Sequence, residues 1–309
     1  MQSNKVLCES WLSEDTGGKA LLVPSGTAAL EAAVSLCVSP GDEVILPSFA
    51  YPTCASSIIR GGGVPVFVDI EPETLCLDWD AVNEAITEKT RAVMPIWYAG
   101  VQGRVETDLK VIEDAAQCVG AFKLKGDYGA ISFHHSKNVG CGEGGALIVR
   151  EKDFERARTL CHCGTNRWRN GKDWTWLEVG SSYLMAEPLA KLLYPELGAC
   201  YETTEKRLKV WKVYRDNIKA PHKASVPGNG HIFWFMSGKQ TELLNQMPEL
   251  VKHYEALHLC APAKRGRVSG SLENSVYASK RIVRPPMTVS EDEAYRIAER
   301  INGISLGRV

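Results

Sequence analysis

No unbroken apolar run in the sequence approaches the ~18–20 residues that a helical membrane span needs. Net charge is nearly absent as well. It is −1, from 36 Lys+Arg against 37 Asp+Glu, so there is no global positive field to hold a nucleic-acid backbone. A local basic patch stays open. The first residues, Met1-Gln2-Ser3-Asn4-Lys5, lack the charged-then-apolar layout of a secretory leader. Internal repeats and low-complexity tracts are missing too. From these absences the chain is expected to be cytoplasmic, with no membrane and no nucleic-acid partner. What is present is ordinary globular composition, 44% hydrophobic and 24% charged, which excludes a disordered chain, a coiled coil or a fibrous repeat. At roughly 150 residues per domain, 309 residues suggest about two domains.

Ten cysteines are scattered through apolar or mixed stretches. In a large chain without a secretory leader they read as reduced, small core residues. Cys161-His162-Cys163 resembles a fragment of a metal site, but a tetrahedral site needs about four ligands and no second pair stands at a suitable spacing. His134-His135 invites the same thought. Adjacent residues on a strand face opposite sides, however, so no metal is expected there either.

Short apolar runs alternate with helical patterns through the first half. Strands are expected at Ala20–Val23, Glu43–Leu46, Val64–Ile70, Ala92–Trp97, Lys110–Glu113, Gly129–Phe133 and Ala146–Val149. Helices are expected at Ala28–Cys37 and Tyr51–Arg60. Such alternation predicts an α/β fold with a mostly parallel seven-stranded sheet and helices on both faces. The stretch Tyr98–Leu109 is too short for a full crossover helix. Beyond Glu151 the pattern changes. Glu151–Cys161 reads as a helix and Gly164–Tyr183 as a Trp-rich polar loop. Glu187–Asn217 reads as a long helix that Pro195 must break or kink. Lys219–Gly230 is rich in turn residues, His231–Phe235 reads as a strand, and Lys239–Leu257 and Ser290–Ile301 as helices. The expected division is a large domain at 1–198 and a smaller C-terminal α+β domain at 199–309.

Three segments carry possible chemistry. Ser25-Gly26-Thr27 follows a strand and opens a helix, where free N–H groups and the helix dipole suit a phosphate. A Ser/Thr at a helix start also serves simply as a cap. Glu113-Asp114 closes a strand, and ligands in open α/β sheets bind beyond the carboxyl ends of strands. An acid there pairs with a cationic ring nitrogen or a metal, or else is a cap or an ion pair. Lys137, in Ser132-Phe133-His134-His135-Ser136-Lys137-Asn138, leaves a strand end for a glycine-rich loop. With an ordinary pKa near 10.4 a lysine is protonated at neutral pH, so nucleophilic use needs a site that lowers it. The alternative is a solvated lysine.

In this order, Ser25-Gly26-Thr27, Pro47-Ser48-Phe49-Ala50-Tyr51, Glu113-Asp114-Ala115-Ala116-Gln117 and Ser132 to Asn138 resemble the DegT/StrS-type sugar aminotransferases, which use pyridoxal 5'-phosphate (PLP). The resemblance runs from about Leu21 to Leu193. It is looser from His231 onward, through His253-Tyr254, Leu257-His258 and Arg281 to Pro286. Gly164-Thr165-Asn166-Arg167 and Gly180-Ser181-Ser182-Tyr183-Leu184-Met185 are similar to segments of the TDP-4-oxo-6-deoxy-D-glucose 4-aminotransferase subgroup. The resemblance implies fold type I, the aspartate-aminotransferase fold, and amino transfer from an amino acid such as L-glutamate to a nucleotide-linked 4-keto-6-deoxy sugar. It implies Lys137 and Asp114 as the catalytic pair, with Lys137 binding the cofactor covalently and Asp114 pairing with its ring nitrogen. Gly26, Thr27 and Ser132 would hold the phosphate, Tyr51 would stack on the ring, and Gln117 would lie near the phenolic oxygen. It also implies a homodimer in which Ser181 and Ser182 reach the partner's phosphate, with Asn166 and Arg167 receiving the sugar nucleotide. Relative to the family, the chain reads as short before the first strand, between Tyr98 and Val111, and around Ser237-Gly238-Lys239. That leaves open a pared-down binding protein without turnover, or amination at another ring position or of another nucleotide sugar.

Overall fold

The structure is a computed structural model and describes residues 2–305. In chain order its helices are α1 (Asn4–Thr16), α2 (Gly26–Cys37), α3 (Pro52–Arg60), α4 (Trp79–Ala85), α5 (Phe154–Cys161), α6 (Arg167–Asn170), α7 (Glu187–Gly198), α8 (Cys200–Asn217), α9 (Gln240–Gln246), α10 (Glu273–Arg281) and α11 (Glu291–Ser305). The strands are β1 (Lys19–Val23), β2 (Glu43–Pro47), β3 (Val64–Val68), β4 (Thr90–Val93), β5 (Lys110–Asp114), β6 (Tyr128–Ser132), β7 (Gly145–Val149), β8 (Phe235–Met236), β9 (Arg267–Val268) and β10 (Ile282–Val283).

All seven expected strands form one sheet, in the order β1-β7-β6-β5-β4-β2-β3, and the two-residue β9 adds an eighth at the β3 edge. Every neighbouring pair is parallel except β7, which runs antiparallel to both β1 and β6. Strand periodicity divides the core. Leu21, Val23, Leu147 and Val149 pack with α2, α3 and α5 on one face. Ala20, Leu22, Ala146 and Ile148 turn to the other face, where α1, α7 and α8 lie. Because consecutive strands are parallel, their carboxyl ends line up along one edge of the sheet, and that edge carries the site.

Several expectations change in detail. The Ser3 side chain accepts from Val6 N and caps α1, a helix the apolar pattern did not call for. The long helix breaks at Ala199, one turn after Pro195, giving α7 and α8. The expected helix Lys239–Leu257 stops at Gln246, because Pro248 cannot supply the N–H that the next turn needs. A turn at Pro248-Glu249, closed by Leu250 N donating to Met247 O at 3.0 Å, follows, and residues 250–256 then run as an extended segment. Of the strand expected at His231–Phe235, only Phe235 pairs, with Met236, against β10. No helix fills the link from β4 to β5. A short turn at Tyr98–Gly100 stands there.

Candidate active site

Strand β6 ends at Ser132, and the chain then doubles back. Phe133 N donates to Gly144 O at 2.8 Å, His135 N to Gly142 O at 2.9 Å and Cys141 N to Phe133 O at 3.0 Å. This tight loop presents Lys137 to a cavity of about 680 Å³ at the carboxyl edge of the sheet. His134 and His135 lie in the loop rather than on the strand. The expectation that they face opposite sides therefore fails, and their rings meet with centroids 4.0 Å apart.

Three chemistries converge on the cavity. At one end is the start of α2. Ser25 uses its hydroxyl to accept from Ala28 N at 3.1 Å, so it is indeed a cap. The Gly26 and Thr27 N–H groups lie in the first turn, where no intrahelical acceptor exists, and both residues line the cavity beside Ser132. That is an anion cradle. Asp114 lines the same cavity. Its Oδ1 accepts from Ala116 N at 3.0 Å and its Oδ2 from the Cys54 thiol at 3.0 Å. Lys137 is the third group there. Burial pushes its amine below the ordinary lysine range; the Asp114 charge opposes that shift and the Arg284 charge adds to it.

The strand's period of two separates the neighbouring acids. Glu113 is fully buried and points away from the cavity. Its Oε1 accepts from Lys125 N and Gly126 N, both at 2.7 Å, and its Oε2 from Trp97 Nε1 at 2.8 Å and Gln102 Nε2 at 3.1 Å. Gln117 lines the cavity with both ends of its amide engaged: Oε1 accepts from Ala99 N at 2.7 Å, and Nε2 donates to the Tyr254 hydroxyl at 3.1 Å. Tyr51 also lines it, half exposed, with its ring centroid 5.9 Å from that of Tyr254.

Sequence reasoning assigned no role to the wall opposite. His253, Tyr254 and Arg284 close the cavity from the extended segment after α9 and from the residue following β10; Val251 N donates to Arg284 O at 3.0 Å and Arg284 N to Val251 O at 2.8 Å, which locks the two together. His253 Nε2 accepts from the Arg284 guanidinium and its Nδ1 meets the Tyr98 hydroxyl at 3.1 Å. Burial and the Arg284 charge push the His253 imidazole down to about 2, so it stays neutral. The His253-Tyr254 pair was visible as a family echo. Arg284 lay within the Arg281 to Pro286 echo, although with no role assigned; Cys54 and His231 were given no site role, and only the tertiary fold brings them to the cavity.

Four expected site residues lie elsewhere in this chain. Asn166 precedes α6 without capping it and instead ties the loop to itself, its Oδ1 accepting from Thr175 N at 2.7 Å, and Arg167 begins α6. Ser181 and Ser182 are exposed on the neighbouring loop, and none of the four lines the cavity.

Residues 16–302 match the DegT/DnrJ/EryC1/StrS aminotransferase family, and the chain belongs to that family. It is similar to the L-glutamine:2-deoxy-scyllo-inosose aminotransferase of Streptomyces lividus, with 39% identity over 45% of this chain and 37% of that enzyme. The corresponding match to the Streptomyces paromomycinus enzyme covers 49% of its length, so the chain spans between a third and a half of these relatives. It is also similar to GDP-perosamine synthase of Caulobacter vibrioides, with 31% identity over 77% of this chain and 69% of that enzyme. In three dimensions it superposes on a Streptococcus pneumoniae protein described as a sugar aminotransferase, Spr1654, in its PMP form. The TM-score is 0.88 at 22% identity, covering 100% of this chain and 91% of that one. The α/β fold expected from the motifs is therefore the fold of this family.

Proposed function

We propose that the chain is a pyridoxal-phosphate-dependent aminotransferase. It would move an amino group from an amino acid such as L-glutamate to a nucleotide-linked 4-keto-6-deoxy sugar. The observation that carries this reading is the convergence of Lys137, Asp114 and the α2 cradle on one cavity. Solved relatives in PLP and PMP forms support the cofactor. Pyridoxal phosphate, when bound, supplies the carbonyl that takes up the amino group and a ring that holds the electron pair. In this reading Gly26 N–H, Thr27 N–H and Ser132 bind its phosphate. Asp114, fixed by Ala116 N and Cys54, keeps a ring nitrogen protonated across a short opposite-charge contact. Lys137 anchors the group, and its lowered pKa makes the neutral amine available to take and return the substrate's α-proton. Gln117, joined to the Tyr254 hydroxyl, would lie near the ring oxygen, and Tyr51 would stack on the ring.

Asn166, Arg167, Ser181 and Ser182 keep the roles expected of them as part of this proposal: the first two for the sugar nucleotide, the serines for the phosphate site of a second copy. The proposed domain division is 1–198 and 199–309. A second substrate reading, an inosose aminated from L-glutamine, is favoured by the 39% identity to the Streptomyces lividus enzyme. The test begins with the visible absorbance of the protein mixed with pyridoxal phosphate, followed by borohydride and peptide mapping. Label on the Lys137 peptide is expected, and label elsewhere or none overturns the cofactor assignment. Incubation with glutamate or glutamine and either TDP-4-oxo-6-deoxyglucose or 2-deoxy-scyllo-inosose, with products read by mass and NMR, decides the substrate.

A further inference from the structure

One wall of the cavity comes from the turn-rich segment before β8. Gly228 and Gly230 both adopt left-handed backbone, with φ of 53° and 68°. Gly228 also comes so close to the Tyr98–Gly100 turn that a Cβ on it would lie 2.5 Å from the Gly100 carbonyl carbon. This close approach buries Asn229, whose Nδ2 donates to Val119 O at 3.0 Å, and sets His231 into the cavity lining.

The protonation of His231 follows from its partners. Asn138 Nδ2 donates to Asn229 O at 2.9 Å. A carbonyl only accepts, so the amide of Asn138 is oriented and its Oδ1 is the atom 2.9 Å from His231 Nδ1. An amide oxygen only accepts as well, so His231 Nδ1 carries the hydrogen. Burial first, then the charges of Lys137, Arg284 and Arg207, hold the imidazole well below its ordinary range. The ring is therefore neutral and Nε2 keeps its lone pair. Among the described residues Nε2 has no protein partner, and it is not among the sealed unpartnered atoms, so it opens to the cavity.

A neutral acceptor beside Lys137 and Arg284 suits a neutral donor, since a second cation would be repelled by both. A carboxylate has no hydrogen to give. Of the two substrates in the proposed reaction, the keto sugar is the one that brings neutral donors, its ring hydroxyls. We propose that His231 Nε2 accepts a hydrogen bond from a hydroxyl of the amino-accepting polyol and so sets which ring ketones are aminated. Through Nδ1 and Asn138, the residue directly after Lys137, the same imidazole positions the lysine. The substrate half of this inference rests on the proposed aminotransferase reading.

Two variants separate the two nitrogens. His231→Asn keeps a donor near Nδ1 and deletes Nε2, whereas His231→Gln keeps an acceptor near Nε2 and deletes the Nδ1 donor. The half-reactions with glutamate and with TDP-4-oxo-6-deoxyglucose are followed separately by cofactor absorbance. In His231→Asn the glutamate step should stay within about twofold and the ketone kcat/KM fall about 10- to 100-fold, as for an unpaired buried hydroxyl. His231→Gln should recover part of the ketone rate while slowing the glutamate step. Equal losses in both steps, no loss in either, or a ketone rate in His231→Gln no better than in His231→Asn overturns the proposal. Should the wild type aminate none of the ketones tried, the substrate reading fails and the 15N NMR spectrum of the histidine-labelled full chain decides on His231 itself. A protonated Nδ1 with a bare Nε2 at pH 7 is expected, and the opposite tautomer or a charged ring overturns it.

Discussion

At the scale of single residues, the adjacent carboxylates Glu113 and Asp114 illustrate how a strand assigns different work to neighbouring side chains. Glu113 faces four donors and Asp114 faces the cavity. Replacing Glu113 by Gln turns one acceptor oxygen into a donor that confronts N–H groups. The expected cost is about 2–3 kcal/mol, read as a lower urea midpoint at unchanged slope. Asp114→Asn should cost at most about 1 kcal/mol in a urea titration, because the amide oxygen still accepts from Ala116 N and the amide NH2 then meets the Cys54 sulfur, which can accept weakly. It should lower turnover by at least ~100-fold, since a neutral amide no longer holds a ring proton in place. A near-normal kcat in Asp114→Asn would make it a cap only. The sequence placed both acids at a strand end and singled out Asp114 by family resemblance. The identity of its thiol partner was hidden, because Cys54 stands 60 positions away and meets it only through the packing of α3 on the sheet.

Secondary-structure elements meet tightly where β7 passes under the start of α2. A Cβ on Gly145 would lie 2.4 Å from the Ser25 carbonyl carbon, and one on Gly26 2.9 Å from Ser132 Cβ. Backbone has nowhere to go at the first position, and at the second Ser132 Cβ moves only with its own backbone. Gly145→Ala is therefore expected to destabilise by roughly 2–3 kcal/mol or more, and Gly26→Ala by about 1–3 kcal/mol. Both should weaken pyridoxal-phosphate binding in a titration by displacing the cradle N–H groups; unchanged cofactor affinity in Gly145→Ala would remove the cradle from the site. This scale also marks the limits of the sequence. Strands buried on both faces announce themselves as short apolar runs, and all seven expected in the large sheet were legible, as was the opening of α2. The segment after Gln246 was read as helix from its apolar spacing, although Pro248 stood in it. Its extended path, which delivers His253 and Tyr254, is set by the pairing of Val251 with Arg284, a contact between residues 33 positions apart. Helix α1 was missed despite Ser3 and Gly17 at its two ends, because its apolar residues form only a weak stripe.

Across the whole molecule, β9 joins the later part of the chain to the sheet edge by pairing with β3, and an ion pair reaching across to β2 reinforces it. Arg267 donates Nε and Nη2 to the two oxygens of Glu43, each at 2.8 Å, and Thr87 adds a third donor at 2.8 Å. The Arg267 contact, with Thr87 and Thr90, holds the Glu43 carboxyl down to about 2, against 4.5 when free. A lowered folded pKa means that the stabilisation is fully present above pH 4.5 and is lost as pH falls toward 2. Glu43→Gln should thus cost about 2 kcal/mol at pH 7, with the gap to wild type closing between pH 4.5 and 2 in denaturant titrations. A pH-independent gap would mean that packing, not charge, ties the edge. A second feature at this scale faces outward. Trp176, Leu177 and Val179 are 66%, 60% and 81% exposed, next to Ser181 and Ser182 on the loop that the family resemblance assigns to a partner's phosphate site. Apolar side chains grouped around polar residues mark an interaction surface, and a two-fold pair is the commonest closed way to cover one. The cradle at α2 supplies only Gly26, Thr27 and Ser132 from this chain, so a second copy has polar groups to add. Sedimentation velocity should show a dimer for the wild type. Leu177→Glu, which places a charge in the patch and touches nothing in its own cavity, should shift it to monomer and lower pyridoxal-phosphate retention on a desalting column. A monomeric wild type that holds the cofactor fully would sink the shared-site reading, and a Leu177→Glu dimer would move the interface away from this loop.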